Sequence, residues 1–255
     1  MKITLLQTAP VWGDPSRSRL EIDRLLEGAA PTDLLVLPEM FSTGFVTRPE
    51  ALAGEQGGQT LEWMKETARR RDCAVAGSLS VHADGGWRNR FYFVFPDGSC
   101  RYYDKHHLFT YAGEHHRYQA GQERVVVAYK DFRILLQVCY DLRFPVFARN
   151  RIVDGTPDYD LILYVACWPQ TRIAAWDTLL RARAIENVSF VAGVNRVGDE
   201  PGNHYCGHSC LIGPCGDVLS VCKENEVSFV EYEIEKGDLD AFRASFPALA
   251  DADRP

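Results

Sequence analysis

The sequence predicts an α/β fold of mixed β-sheets with helices packed outside them, as one compact domain over residues 1–255. Three observations carry this. Short apolar, β-rich runs outnumber helical ones. Asp-Gly turns at Asp84-Gly85 and Asp97-Gly98 join neighbouring runs as hairpins, because both residue types tolerate positive φ. Elsewhere strand-like runs alternate with amphipathic segments, which implies β-α-β crossovers and parallel pairing. The 255 residues, 46% of them hydrophobic and 25% charged, are enough to enclose a sizeable core. No repeat, low-complexity tract or linker divides them.

In chain order, Lys2–Gln7 reads as a buried strand, and 16–29 as a helix carrying Leu20, Leu25 and Leu26. Residues 33–38 form a short apolar run closed by Pro38, again a buried strand. Residues 40–59 are rich in Gly, Thr and Ser and predict a loop; 60–71 predict a helix with Thr60 as its N-cap. Strands follow at 73–81, 91–95 and 100–103, separated by the two Asp-Gly turns. The His-rich stretch 110–123 reads as a loop, 124–129 and 132–140 as a strand pair, 161–167 as a strand and 172–187 as a long amphipathic helix. Strands at 189–194, 208–212, 218–221 and 228–234 and a tail with a short helix complete the chain.

Composition narrows the function. A formal net charge of −7 disfavours a general phosphate-backbone binder. Residues 1–6 run straight into a strand without a charged n-region and cleavage site, and no window approaches the ~18 unbroken apolar residues of a membrane helix. A cytoplasmic protein is expected. The eight cysteines, at 73, 100, 139, 167, 206, 210, 215 and 222, form no C-x-x-C pair and read as reduced thiols.

Three reactive side chains sit where strands run out, the usual place for active groups in α/β folds. Glu39 follows LLVLP, Lys105 follows RYYD, and Cys139 follows RILLQV. Backbone N–H groups beyond the last strand would favour the Cys139 thiolate and hold an oxyanion; Pro145 suits the first turn of a helix. Taken singly, each has an ordinary structural reading: a buried thiol, a strand-end lysine and a loop acid.

Together, Leu37-Pro-Glu-Met-Phe41, Tyr103-Asp-Lys-His-His-Leu108 and Val138-Cys-Tyr-Asp-Leu-Arg-Phe-Pro145 resemble, in order and spacing, the three signature blocks of the nitrilase (carbon–nitrogen hydrolase) superfamily, and the likeness runs from Lys2 to about Pro247. The resemblance implies a four-layer αββα sandwich and a Glu–Lys–Cys triad: Glu39 as general base, Lys105 and the Tyr140 N–H as oxyanion donors, Cys139 as nucleophile. It implies that Glu114, in Ala112-Gly-Glu-His115, orients Lys105, that no metal or organic cofactor takes part, and that the chain forms a homodimer or larger homo-oligomer.

Within the superfamily, Cys139-Tyr-Asp-Leu-Arg-Phe-Pro145 and Tyr164-Val-Ala-Cys-Trp-Pro169 most resemble the ω-amidase branch, which deamidates 2-oxoglutaramate or 2-oxosuccinamate. The substrate expected is a small amide carrying a carboxylate. Arg143, four residues past the thiol, suits that carboxylate, or else pairs with an acid such as Asp141; Arg172 is a further possible anion partner. Phe41, Tyr118 and Trp168 could wall the pocket, or simply pack. Other readings are a nitrilase, N-carbamoyl hydrolase or aliphatic amidase with the same residues; a metal hydrolase using His106, His107, His115 and His116, although no H-E-x-x-H occurs; and a catalytically silent binding protein.

Overall fold

The computed structural model describes residues 1–52 and 58–252; part of the loop expected over 40–59, and the last three residues of the expected domain, lie outside them. Two six-stranded mixed sheets face one another. In the first the order is Ser228–Glu233, Lys2–Gln7, Leu34–Val36, Ala74–Ala83, Gly86–Val94 and Cys100–Asp104. In the second it is Val126–Tyr129, Phe132–Val138, Leu161–Ala166, Phe190–Asn195, Cys210–Ile212 and Val218–Val221. Read in these orders, both sheets pair antiparallel, parallel, parallel, antiparallel, antiparallel. The sequence shows no repeat, yet the topology has one, because only the pairing pattern recurs and not the residues.

Alternation along the strands explains the layers. Leu34, Val36, Ala74, Ala76, Phe91 and Phe93 join Ile134, Leu136 and Val138 in the core between the sheets. Leu35, Leu37, Val75 and Leu79 point the other way, onto Ile22 and Leu26 of the helix Pro15–Leu26 and Met64 and Ala68 of the helix Gly58–Arg71. On the far side, Trp176, Leu180 and Ala184 of the helix Ile173–Asn187 recur at helical spacing and cover the second sheet. The result is the predicted helix–sheet–sheet–helix stack.

The boundaries differ for physical reasons. The first helix starts at Pro15 because the Asp14 carboxylate caps it, accepting from Arg17 N at 3.0 Å. Thr60 is not an N-cap: the second helix begins at Gly58 and buries Thr60 within its first turn. The strand expected from 91 starts at Gly86, its polar first half having masked it. Hairpins at Ile152–Pro157 and Val197–Cys206 were not anticipated. None of the eight cysteines is in a disulfide, and among the described residues no helix is long and apolar enough to cross a membrane.

Candidate active site

The Phe132–Val138 strand breaks at Cys139, which takes a left-handed φ of +47°, a strained conformation for a residue with a Cβ. Asp141 holds the bend. One carboxylate oxygen accepts from Val138 N at 2.9 Å and from the Tyr103 hydroxyl at 2.8 Å, and the other accepts from His107 N at 2.9 Å. The short helix Pro145–Ala148 then begins with Pro145, as expected. Cys139 is left at the seam between the sheets, 8% exposed.

Glu39 reaches the same seam from the first sheet, three residues beyond Val36. Its Oε1 accepts from Lys105 Nζ at 2.9 Å and from Asn89 Nδ2 at 2.7 Å, and its Oε2 from Cys167 N at 2.8 Å. Lys105, directly after the Cys100–Asp104 strand, also donates to Glu114 Oε2 at 2.9 Å. Glu114 further accepts from Phe109 N at 2.6 Å and Asn89 Nδ2 at 3.1 Å. All three ionisable side chains are buried. Glu39, Lys105, Cys139 and Glu114, separated by up to a hundred positions, are thus brought together.

The electrostatics correct one expectation. Burial pushes the Cys139 thiol well above the usual thiol range, and the Glu39 carboxylate beside it pushes the same way, against a smaller opposing pull from Lys105. The expected pull of backbone N–H groups towards thiolate does not outweigh these effects. Burial alone would lower the Lys105 ammonium, but Glu114 and Glu39 overcome it and hold its pKa well above the ordinary lysine value. Burial raises Glu114 although Lys105 opposes it. Such a group of base, cation and thiol can add sulfur to a carbonyl carbon and stabilise the oxygen charge that forms.

A cleft open to solvent leads onto Cys139 and is lined by Tyr140, Arg143, Trp168 and Arg172, with Phe45 and Phe109. Arg143 lies over Trp168 at 5.0 Å, and Arg172 over Phe109 at 5.4 Å. The Arg143–Asp141 ion pair is absent, because Asp141 is engaged by the bend and by His107. The Arg143 guanidinium makes no ion pair among the described residues.

Two expected pocket residues are elsewhere. Phe41 is fully buried on the helix side of the first sheet, its ring 5.9 Å from that of Trp63 and packed on Gly77; the turn at Met40, with φ +43°, sends it there. Tyr118 is also buried, its hydroxyl 2.7 Å from both Ser80 Oγ and Val46 O. Phe41→Ala is therefore expected to cost about 3–5 kcal/mol of stability in urea unfolding, while the KM of the folded protein for its substrate is unchanged; a raised KM at intact stability would return Phe41 to the cleft.

Sequence reasoning missed Asn89, whose amide joins Glu39 to Glu114 while its Oδ1 accepts from Ser78 Oγ at 2.9 Å. Its place in a polar Arg-Asn-Arg run at the start of the strand gave no sign of it. Phe45, Phe109 and Cys167 were also missed. The four histidines do not converge: His106 Nδ1 meets Gly121 O at 2.7 Å and its ring stacks on Phe147, His107 stacks on Phe144, and His115 and His116 lie exposed against each other.

Residues 2–244 match the carbon–nitrogen hydrolase family model. The chain is 44% identical over 255 residues to the omega-amidase YafV of Yersinia enterocolitica, covering 100% of this chain and 97% of that protein. It is 34% identical to the 2-oxoglutaramate amidase of Bacillus subtilis (strain 168), over 98% of this chain and 96% of that one. Among solved structures it superposes on XC1258 of Xanthomonas campestris, a CN-hydrolase superfamily protein with an arsenic adduct in its active site. There the TM-score is 0.96 and the identity 44%, with 100% of this chain and 98% of the other covered.

Proposed function

This chain belongs to the carbon–nitrogen hydrolase family, and we propose that it is an ω-amidase, releasing ammonia from 2-oxoglutaramate or 2-oxosuccinamate. The observation that carries the reading is the buried Glu39–Lys105–Glu114 network, set beside the Cys139 thiol at the floor of a cleft whose wall carries two arginines.

In this reading Glu39 removes the proton from Cys139 as sulfur adds to the amide carbon. Lys105 and the Tyr140 N–H hold the oxyanion. The carbon–nitrogen bond breaks as Glu39 returns the proton to the departing nitrogen, giving ammonia and a thioester. Water then gives a proton to Glu39 and adds to the thioester, and collapse frees the acid and the thiol. Glu114 keeps the Lys105 ammonium in place, and Asn89 ties the two carboxylates together.

Arg143 supplies the substrate preference. It faces the cleft with no acid paired to it among the described residues, so its planar fork is available for the carboxylate of a 2-oxo acid amide. Ammonia release compared among 2-oxoglutaramate, glutamine, simple aliphatic amides, nitriles and N-carbamoyl compounds tests the reading. The 2-oxo acid amide is expected to lead in kcat/KM; a nitrile or N-carbamoyl compound in that place would move the protein to another branch. Arg143→Ala is expected to lower kcat/KM for 2-oxoglutaramate by about 10–100-fold, the loss of a charge-assisted pair, and to leave uncharged amides nearly untouched. Equal losses on both would make Arg143 structural.

A further inference from the structure

We infer that Cys206, His208 and Glu224 form a binding site for one zinc-class divalent cation, with Asp177 orienting the imidazole from behind. Cys206 ends the Asn203–Cys206 strand, His208 follows two residues later, Glu224 lies in the turn before Ser228–Glu233, and Asp177 comes from the Ile173–Asn187 helix. One ligand atom from each of Cys206, His208 and Glu224 lies within 4.8 Å of the other two, and His208 Nε2 is 3.9 Å from Glu224 Oε1. Zinc bonds of about 2.0–2.3 Å place tetrahedral ligands roughly 3.3–3.8 Å apart, a contraction the exposed Glu224 can supply.

Several features mark a built site. Cys206 is buried, and its thiol lies within reach of His208 and Glu224. His208 Nδ1 lies 3.0 Å from both carboxylate oxygens of Asp177. A ring proton on Nδ1 would serve that contact and leave Nε2, 3.9 Å from Glu224 Oε1, free for a cation, the carboxylate–histidine arrangement that supports a metal. Gly207 between the two ligands has φ +86°, and a Cβ there would sit 2.1 Å from Gln7 Oε1. His208 is itself left-handed at φ +63°, and its carbonyl accepts from Trp176 Nε1 at 3.0 Å. One sulfur, one imidazole and one carboxylate favour zinc over magnesium or calcium. Binding would displace the Cys206 proton into buffer, with water as fourth ligand.

The site is wired to the cleft. Asn195 Nδ2 donates to Gly207 O at 2.8 Å and to Trp168 O at 2.9 Å, while its Oδ1 accepts from Trp168 N at 2.7 Å. A cation that fixes the 206–208 turn therefore bears on the position of Trp168.

The test is zinc titration by calorimetry on the full chain carrying Cys139→Ala and Cys215→Ser, which removes the nucleophile and the exposed thiol. One zinc per chain at micromolar Kd or tighter is expected. Cys206→Ser and His208→Ala should each weaken it by at least about 100-fold, and Asp177→Asn by roughly 10–100-fold. Cobalt should give a thiolate charge-transfer band that Cys206→Ser removes. Folding is checked by circular dichroism, and the half-exposed His208 offers a variant that spares the core. No zinc uptake by the folded parent, or uptake unchanged in His208→Ala, would overturn the site, and neither result bears on the amidase reading.

Discussion

Cys139→Ala is expected to fold normally and to lose ammonia release to the detection limit, on the order of 10⁶-fold in kcat. The fold should survive because the sulfur supports little: its contact to Cys167 O is a long 3.9 Å, and alanine fits the same space. The bend does not depend on the thiol either, since Asp141 anchors it through Val138 N, the Tyr103 hydroxyl and His107 N. Turnover should vanish because no other thiol in the cleft is placed to replace it: Cys167 Sγ is turned onto Glu39 O at 3.2 Å, and burial pushes its thiol well above the usual range. A folded variant that kept more than a small fraction of activity would end the sulfur mechanism.

Glu39→Gln separates a base from a mere neighbour. The shape is kept, but the group can no longer take a proton, and kcat is expected to fall by about 10²–10⁴-fold. The thiol should respond in the opposite sense. Burial and then the Glu39 charge hold Cys139 above its usual range, so removing that charge moves its titration to lower pH. The pH dependence of iodoacetamide labelling, followed on the Cys139 peptide by mass spectrometry, reads this shift, while ammonia release reads kcat. More thiolate with less turnover is the signature of a base that also protonates the leaving nitrogen. Undiminished kcat would assign Glu39 to structure alone.

Most of what carries chemistry was legible because strand ends are legible. LLVLP, RYYD and RILLQV stop abruptly, and Glu39, Lys105 and Cys139 follow at once. Side-chain direction was not legible in the loops. Phe41 and Phe45 are four residues apart in one turn-rich segment, but the left-handed Met40 turns Phe41 into the helix-side core and leaves Phe45 for the cleft. The start of the Gly86–Val94 strand was obscured by Arg88, Asn89 and Arg90, polar residues whose presence breaks the apolar pattern. Asn89 is there to bind two carboxylates, so the local rule fails where the site overrides it. The direction of the thiol's shift was misread because nearby N–H groups can be read from a turn, whereas desolvation by burial cannot.

The repeated pairing pattern has a consequence for how this protein gains and loses activity. Glu39 and Lys105 belong to one slab of the sandwich, and Cys139 to the other. Neither slab owns a reactive set, so competence is born only at the instant of docking. An intermediate that had formed every strand but left the slabs ajar would look native to far-ultraviolet light and yet be chemically inert, which makes the reaction itself a gauge of tertiary closure.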